Sequence, residues 1–172
     1  MEEGIMKLLF KQRFFSWFDS YNIYYLGDDM NVDEFDYDGA HMAYRVEGQL
    51  AWGHSFRVYD KDDRELARLE QEVFTFLPKF DIIIGDEEVG RVEREFSLFT
   101  PSYRLDFRGW QVEGDMFGWD YRITDERGEV VATVSKEIFH FTDTYVIDVP
   151  DEKDSLYALM VALSIDADKC RG

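Results

Sequence analysis

Apolar positions recur along the chain in one spacing, repeated six times: apolar, three residues, apolar, a turn-like stretch, an aromatic, one residue, apolar. The copies are Phe10, Phe14, Tyr21, Ile23; Val46, Leu50, Phe56, Val58; Leu69, Val73, Phe80, Ile82; Val92, Phe96, Tyr103, Leu105; Val112, Met116, Tyr121, Ile123; and Val134, Ile138, Tyr145, Ile147. Spacings of four and two share parity, the period of a strand and not of a helix. Turn formers fall between the second and third anchors, as at Trp52-Gly53-His54, Leu77-Pro78-Lys79 and Thr100-Pro101-Ser102. Each copy therefore reads as a β-hairpin. A second set of turns at Asp60-Lys61-Asp62-Asp63, Gly85-Asp86-Glu87-Glu88, Arg108-Gly109 and Asp125-Glu126-Arg127-Gly128 joins consecutive hairpins tightly. The pattern predicts twelve antiparallel strands over about residues 6–149, with one long acidic connection from Asp28 to His41.

The tail follows a different rule. Asp151-Glu152-Lys153-Asp154 reads as a helix start with acids where the dipole favours them, predicting a helix over about 152–166. Leu156 to Ile165 is apolar nearly all round, so the helix must be enclosed. Ten residues rise only about 15 Å, half the roughly 30 Å of a bilayer core, so no transmembrane segment is expected. About eight strands close on a side-chain-filled interior and sixteen leave a channel; twelve leave room for one helix. The predicted architecture is all-β with a central helix: a single domain over residues 1–172, a closed twelve-stranded antiparallel barrel around the C-terminal hydrophobic helix.

Composition changes that picture little and narrows function more. The 172 residues are 45% apolar and 17% aromatic, which suits one core. Nineteen basic against 37 acidic residues leave a net charge of −18, the wrong sign for coating a polyanion, so no nucleic-acid partner is expected. Cys170 is the single cysteine and no secretory pattern opens the chain, which points to the cytoplasm. His41, His54 and His140 have no metal-ligand spacing, and nucleophile-elbow, phosphate-loop and dinucleotide motifs are absent, so neither enzyme activity nor a cofactor is expected.

Three groups of residues are site candidates. Midway between the first two anchors of each copy, on their face by parity, stand Gln12, Gly48, Gln71, Arg94, Gly114 and Lys136, none of them a large apolar residue. They either give the helix room and snorkel to a rim, or form an internal polar ring in which Arg94 and Lys136 meet the helix C-terminus or Asp166 and Asp168. Lys7, Lys11 and Arg13 share one strand face with Leu9: an ordinary solvated face, or a small patch for anionic phospholipid headgroups beside Trp17 and Phe18. The Asp28–Asp38 loop either stays solvated or gathers carboxylates around a cation.

Lys11-Gln12-Arg13-Phe14-Phe15-Ser16-Trp17, Val46-Glu47-Gly48, Gly109-Trp110-Gln111-Val112-Glu113-Gly114-Asp115 and the Leu156–Asp166 helix resemble the LURP-one-related family, related to tubby domains and phospholipid scramblases. The resemblance spans about residues 6–168 and implies a barrel around a hydrophobic helix. It implies a binding or scaffold module, with membrane phospholipid or phosphoinositide headgroups as partners. No tubby phosphoinositide-binding position maps onto this chain. The alternative is an acidic protein-interaction module that meets a basic protein and no lipid.

Overall fold

The computed structural model describes residues 6–11, 20–27, 30, 35–37, 41–139 and 142–169. Twelve strands follow one another: β1 (Met6–Lys11), β2 (Ser20–Leu26), β3 (Met42–Ala51), β4 (Gly53–Tyr59), β5 (Glu65–Gln71), β6 (Lys79–Ile84), β7 (Glu87–Glu95), β8 (Ser102–Leu105), β9 (Gln111–Asp115), β10 (Asp120–Thr124), β11 (Val130–Phe139) and β12 (Thr142–Val149). Each pairs antiparallel with its sequence neighbours, and β12 pairs back onto β1, so the sheet closes. Closure removes free strand edges. The β8–β9 seam is the thinnest part of the wall, held by the single pair Arg104↔Gln111.

The repeat has a simple meaning in the register. In every hairpin from the second to the sixth, the midpoint residue lies directly across from the aromatic anchor: Gly48↔Phe56, Gln71↔Phe80, Arg94↔Tyr103, Gly114↔Tyr121 and Lys136↔Tyr145. The aromatics are at most 6% exposed, so each ring turns inward and no second bulky apolar group stands opposite it. At Gly114 the need is sharpest: φ is +124°, and a Cβ would come within 2.6 Å of the Asp120 carbonyl oxygen.

A short 3-10 turn, Glu152–Asp154, precedes α1 (Ser155–Lys169). The helix thus starts three residues later than the sequence predicts and runs three residues further. The reason is local: Asp151 caps the 3-10 turn, its carboxylate accepting from the Lys153 amide, and Ser155 continues from there in helical conformation. From Ala158 to Asp168 every residue of α1 is buried, in one core with Ile23, Val46, Leu69, Ile82, Val92, Ile123 and Val134 from the strands. At its start Ser155 Oγ lies 2.8 Å from the Tyr44 hydroxyl, and Arg108 pairs with Asp154 while stacking on Tyr157.

A second, smaller cluster lies outside the wall. Leu9, expected on an exposed face, is fully buried with Leu26, Val146 and Phe35. Phe35 and Tyr37, from the β2–β3 connection, stack edge-on with each other and with Tyr24. The long connection is therefore partly a cover over the β1–β2–β12 exterior, and the Phe-x-Tyr within its acids is the signal for it.

Leu159 is wholly enclosed on α1. Leu159→Ala is expected to lower stability by about 2–5 kcal/mol in urea unfolding; a loss below about 1 kcal/mol would mean the helix is not the packed centre. Gly114→Ala is expected to destabilise by about 1–3 kcal/mol through strain, read in the same way.

Candidate functional site

Consecutive antiparallel strands sort the connections onto two ends. The turns after β4, β6, β8 and β10, together with residues 150–154, form one end, where Asp60-Lys61-Asp62-Asp63-Arg64, Asp125-Glu126-Arg127-Gly128-Glu129 and Asp151-Glu152-Lys153-Asp154 crowd charge. Asp60 accepts from the Asp62 and Arg64 amides and Asp125 from the Arg127 and Glu129 amides, all at 2.9 Å, which holds both carboxyls below the usual range. The turns after β3, β5, β7 and β9 form the other end. Across Trp52, residues 72–78, 96–101 and 116–119, Glu72 is the one charged residue.

This second end exposes what a core would normally take. Trp52 is 89% exposed, Phe74 98%, Phe76 95%, Phe96 74%, Leu98 77% and Phe99 94%. Six such side chains present roughly 1,000 Å² of apolar surface, more than the about 300–600 Å² of the largest patch on an ordinary monomer. Val73 and Phe96, the second anchors of their copies, belong to this surface and not to the core. Parity ends at Gln71 and Glu95, where β5 and β7 stop, so both residues fall in the turns.

The three turns are stitched together. Gln71 Oε1 accepts from the His54 amide at 3.0 Å, and Val73 lies so close to Gly53 that a Cβ there would meet it at 3.0 Å. The Arg94 amide donates to the Pro78 carbonyl at 2.9 Å, tying the end of β7 to the β5–β6 turn. Phe74 holds φ +67°, a left-handed conformation that costs a non-glycine residue roughly 1–2 kcal/mol, yet its ring packs against nothing. Strain that projects an aromatic into solvent is an arrangement to look for at a contact site.

Beneath the turns lies the C-terminal end of α1, where the polar ring is realised in part. Asp168, almost fully enclosed, accepts from Arg94 Nη1 at 3.1 Å and from the Tyr103 hydroxyl at 2.5 Å. Lys169 donates to the Phe117 carbonyl. These adjacent residues hold the β7–β8 and β9–β10 sides of the thin seam. Asp166 is buried beside Tyr121, its Oδ1 without a hydrogen-bond partner; desolvation pushes its carboxyl up to about 7, against a smaller opposite pull from Lys169. Burial and the Asp166 charge also raise the Tyr121 hydroxyl.

The other predicted residues are dispersed. Lys136 is exposed on β11, across from Tyr145 and near the apolar end. Gln71 serves the turns and not α1. Gln12 and Arg13 lie outside the described residues, as does the side chain of Lys11. Lys7 pairs across from Leu26 and Asp148, toward the charged end, away from the apolar turns. Of the acids between 28 and 38, Asp36 is described, and no group of three metal-ligating side chains occurs among the described residues.

Because the Asp166 carboxyl titrates higher in the fold than in an unfolded chain, where Asp lies near about 3.9, folding binds a proton and stability falls as pH rises between those values. Asp166→Asn is expected to remove this loss, up to about 1.4 kcal/mol per pH unit between about pH 4 and 7. Equal pH slopes for parent and variant in urea unfolding would contradict it.

The LURP-one-related family profile matches residues 6–168. The uncharacterized protein YxjI of Bacillus subtilis (strain 168) is 27% identical over 164 residues, covering 94% of this chain and 93% of that protein. An X-ray structure of a protein from Arabidopsis thaliana has the same fold, with a TM-score of 0.59 at 13% identity over 98% of this chain and 92% of that one. With the profile covering nearly its whole length, the chain belongs to the LURP-one-related family.

Proposed function

We propose that this protein is a cytoplasmic, non-enzymatic binding module that contacts phospholipid membrane surfaces peripherally through its apolar end. One observation carries the reading: six large apolar side chains, each at least 74% exposed, sit on adjoining turns with almost no charge. Water solvates such groups poorly, and burying one gains about 1.5–3 kcal/mol. Projecting tips on separate turns suit the headgroup region of a bilayer, where aromatic rings settle. No helix among the described residues is long and apolar enough to cross a membrane, so the contact belongs to the turns. Barrel and helix serve as the rigid mount.

The charged end favours a second reading, in which a basic protein meets the carboxylates of the β4–β5 and β10–β11 turns. The two readings use opposite ends and opposite forces. Salt would dissolve the second and leave the first largely intact.

The protein is expected to float with phosphatidylcholine vesicles in a density gradient. Phe74→Ser with Phe99→Ser should reduce the bound fraction about tenfold or more, with an unchanged melting temperature because neither ring packs in the fold. Undiminished flotation of the double variant, or no flotation of the parent, would refute the reading.

A further inference from the structure

We infer that the apolar end recognises lipid-packing defects in electrically neutral bilayers, and not headgroup charge. The inference rests on the phospholipid contact proposed above and specifies which surface is taken. Headgroup phosphates are held by cations with bonds to spare, and among the described residues the cations near this end, Lys136 included, already have partners in the protein. Arg94 pairs with Asp168, Lys79 and Arg104 both pair with Glu93, and Lys169 donates to the Phe117 carbonyl. Glu93 is held below the usual carboxylate range by these partners despite partial burial, so it stays charged and keeps both cations occupied. Each of these cations has a partner within the protein before a lipid arrives, Lys79 and Arg104 sharing the one carboxylate of Glu93.

The whole chain adds a second constraint. At −18, it is repelled from anionic lipid, and the surplus acids are densest at the far end. A neutral surface lets the molecule approach, and anionic lipid opposes it. What remains to drive binding is apolar burial. The rings of Trp52, Phe74, Phe76, Phe96 and Phe99 are wide, and they stand on turns tied to one another and not on a helix that could settle sideways between lipids. Gaps between headgroups must already exist for them to enter, as they do where a bilayer is strongly curved or its chains are unsaturated. The left-handed Phe74 backbone keeps one ring raised in advance of contact.

The test compares binding of the full chain to small sonicated and large extruded dioleoylphosphatidylcholine vesicles at equal lipid area. It is repeated at low and high salt and with part of the lipid replaced by phosphatidylserine. The expected result is several-fold tighter binding to small vesicles, little change with salt, and weaker binding with phosphatidylserine at low salt. Phe74→Ser with Phe99→Ser should abolish the preference for curvature. Equal affinity for small and large vesicles would overturn the inference while leaving phospholipid contact standing. Binding that requires phosphatidylserine and fades with salt would overturn it in favour of headgroup charge. Absence of binding to every vesicle would remove the phospholipid reading itself. Self-association that the double variant abolishes, without vesicle binding, would assign the surface to a second copy of the chain.

Discussion

The enclosure of α1 is the constraint on which the rest of the molecule depends. A helix that is apolar on every side has no stable place in water, and this one is too short to rest across a bilayer. Twelve strands closing around it supply the missing environment, and the closed wall in turn needs a helix to fill it. The fit is fastened at both ends by polar contacts: Ser155 with Tyr44 and Asp154 with Arg108 where the helix begins, Asp168 with Arg94 and Tyr103 where it ends. Because the helix occupies the interior, the surfaces left for partners are the outer wall and the two ends.

Those ends differ in kind. Strand parity fixes what faces the helix but leaves the turns free, and the turns have been filled in opposite ways. One set carries Asp, Glu, Lys and Arg in self-capping loops; in the other, the described turns after β3, β5, β7 and β9 carry Phe, Trp, Leu and Pro with Glu72 alone charged. The barrel is therefore amphipathic along its axis. Asp166 lies under the apolar end, where burial and the negative pole of the helix both oppose its charge, so the neutral form prevails below about pH 7. Its neighbour Asp168 shares that setting and differs by having two donors directed at it.

The fold was legible in the sequence because parity and anchor spacing are local signals repeated six times, and because a decapeptide apolar nearly all round has few possible settings. The register-level meaning of the midpoint residues was legible only in outline: sharing a face with the anchors showed that they were special, while their place across from an aromatic depends on pairing between strands. The apolar end is not visible in the spacing, because Val73 and Phe96 keep the anchor spacing after their strands have ended. Nothing in a spacing marks where a strand stops. The covering of Leu9 by Phe35 was equally hidden, since it joins β1 to a long connection whose acids suggested solvent. The Arg94–Asp168 pair belongs to one of the two alternatives that parity leaves open for the midpoint residues, while Lys136, under the same parity rule, reaches the surface.

The central claim is that the end bearing the α1 C-terminus is the one that enters a lipid surface. Its most direct test is spin-label depth measurement on phosphatidylcholine vesicles, with Cys170→Ser as background and single labels at Phe99→Cys and, on the opposite end, Asp86→Cys. The label at position 99 is expected to gain access to oxygen and lose access to a water-soluble nickel relaxant on vesicle binding, while the label at position 86 stays in water. A label at position 99 that remains in water while the protein is vesicle-bound, or one at position 86 that enters the bilayer, would contradict the claim.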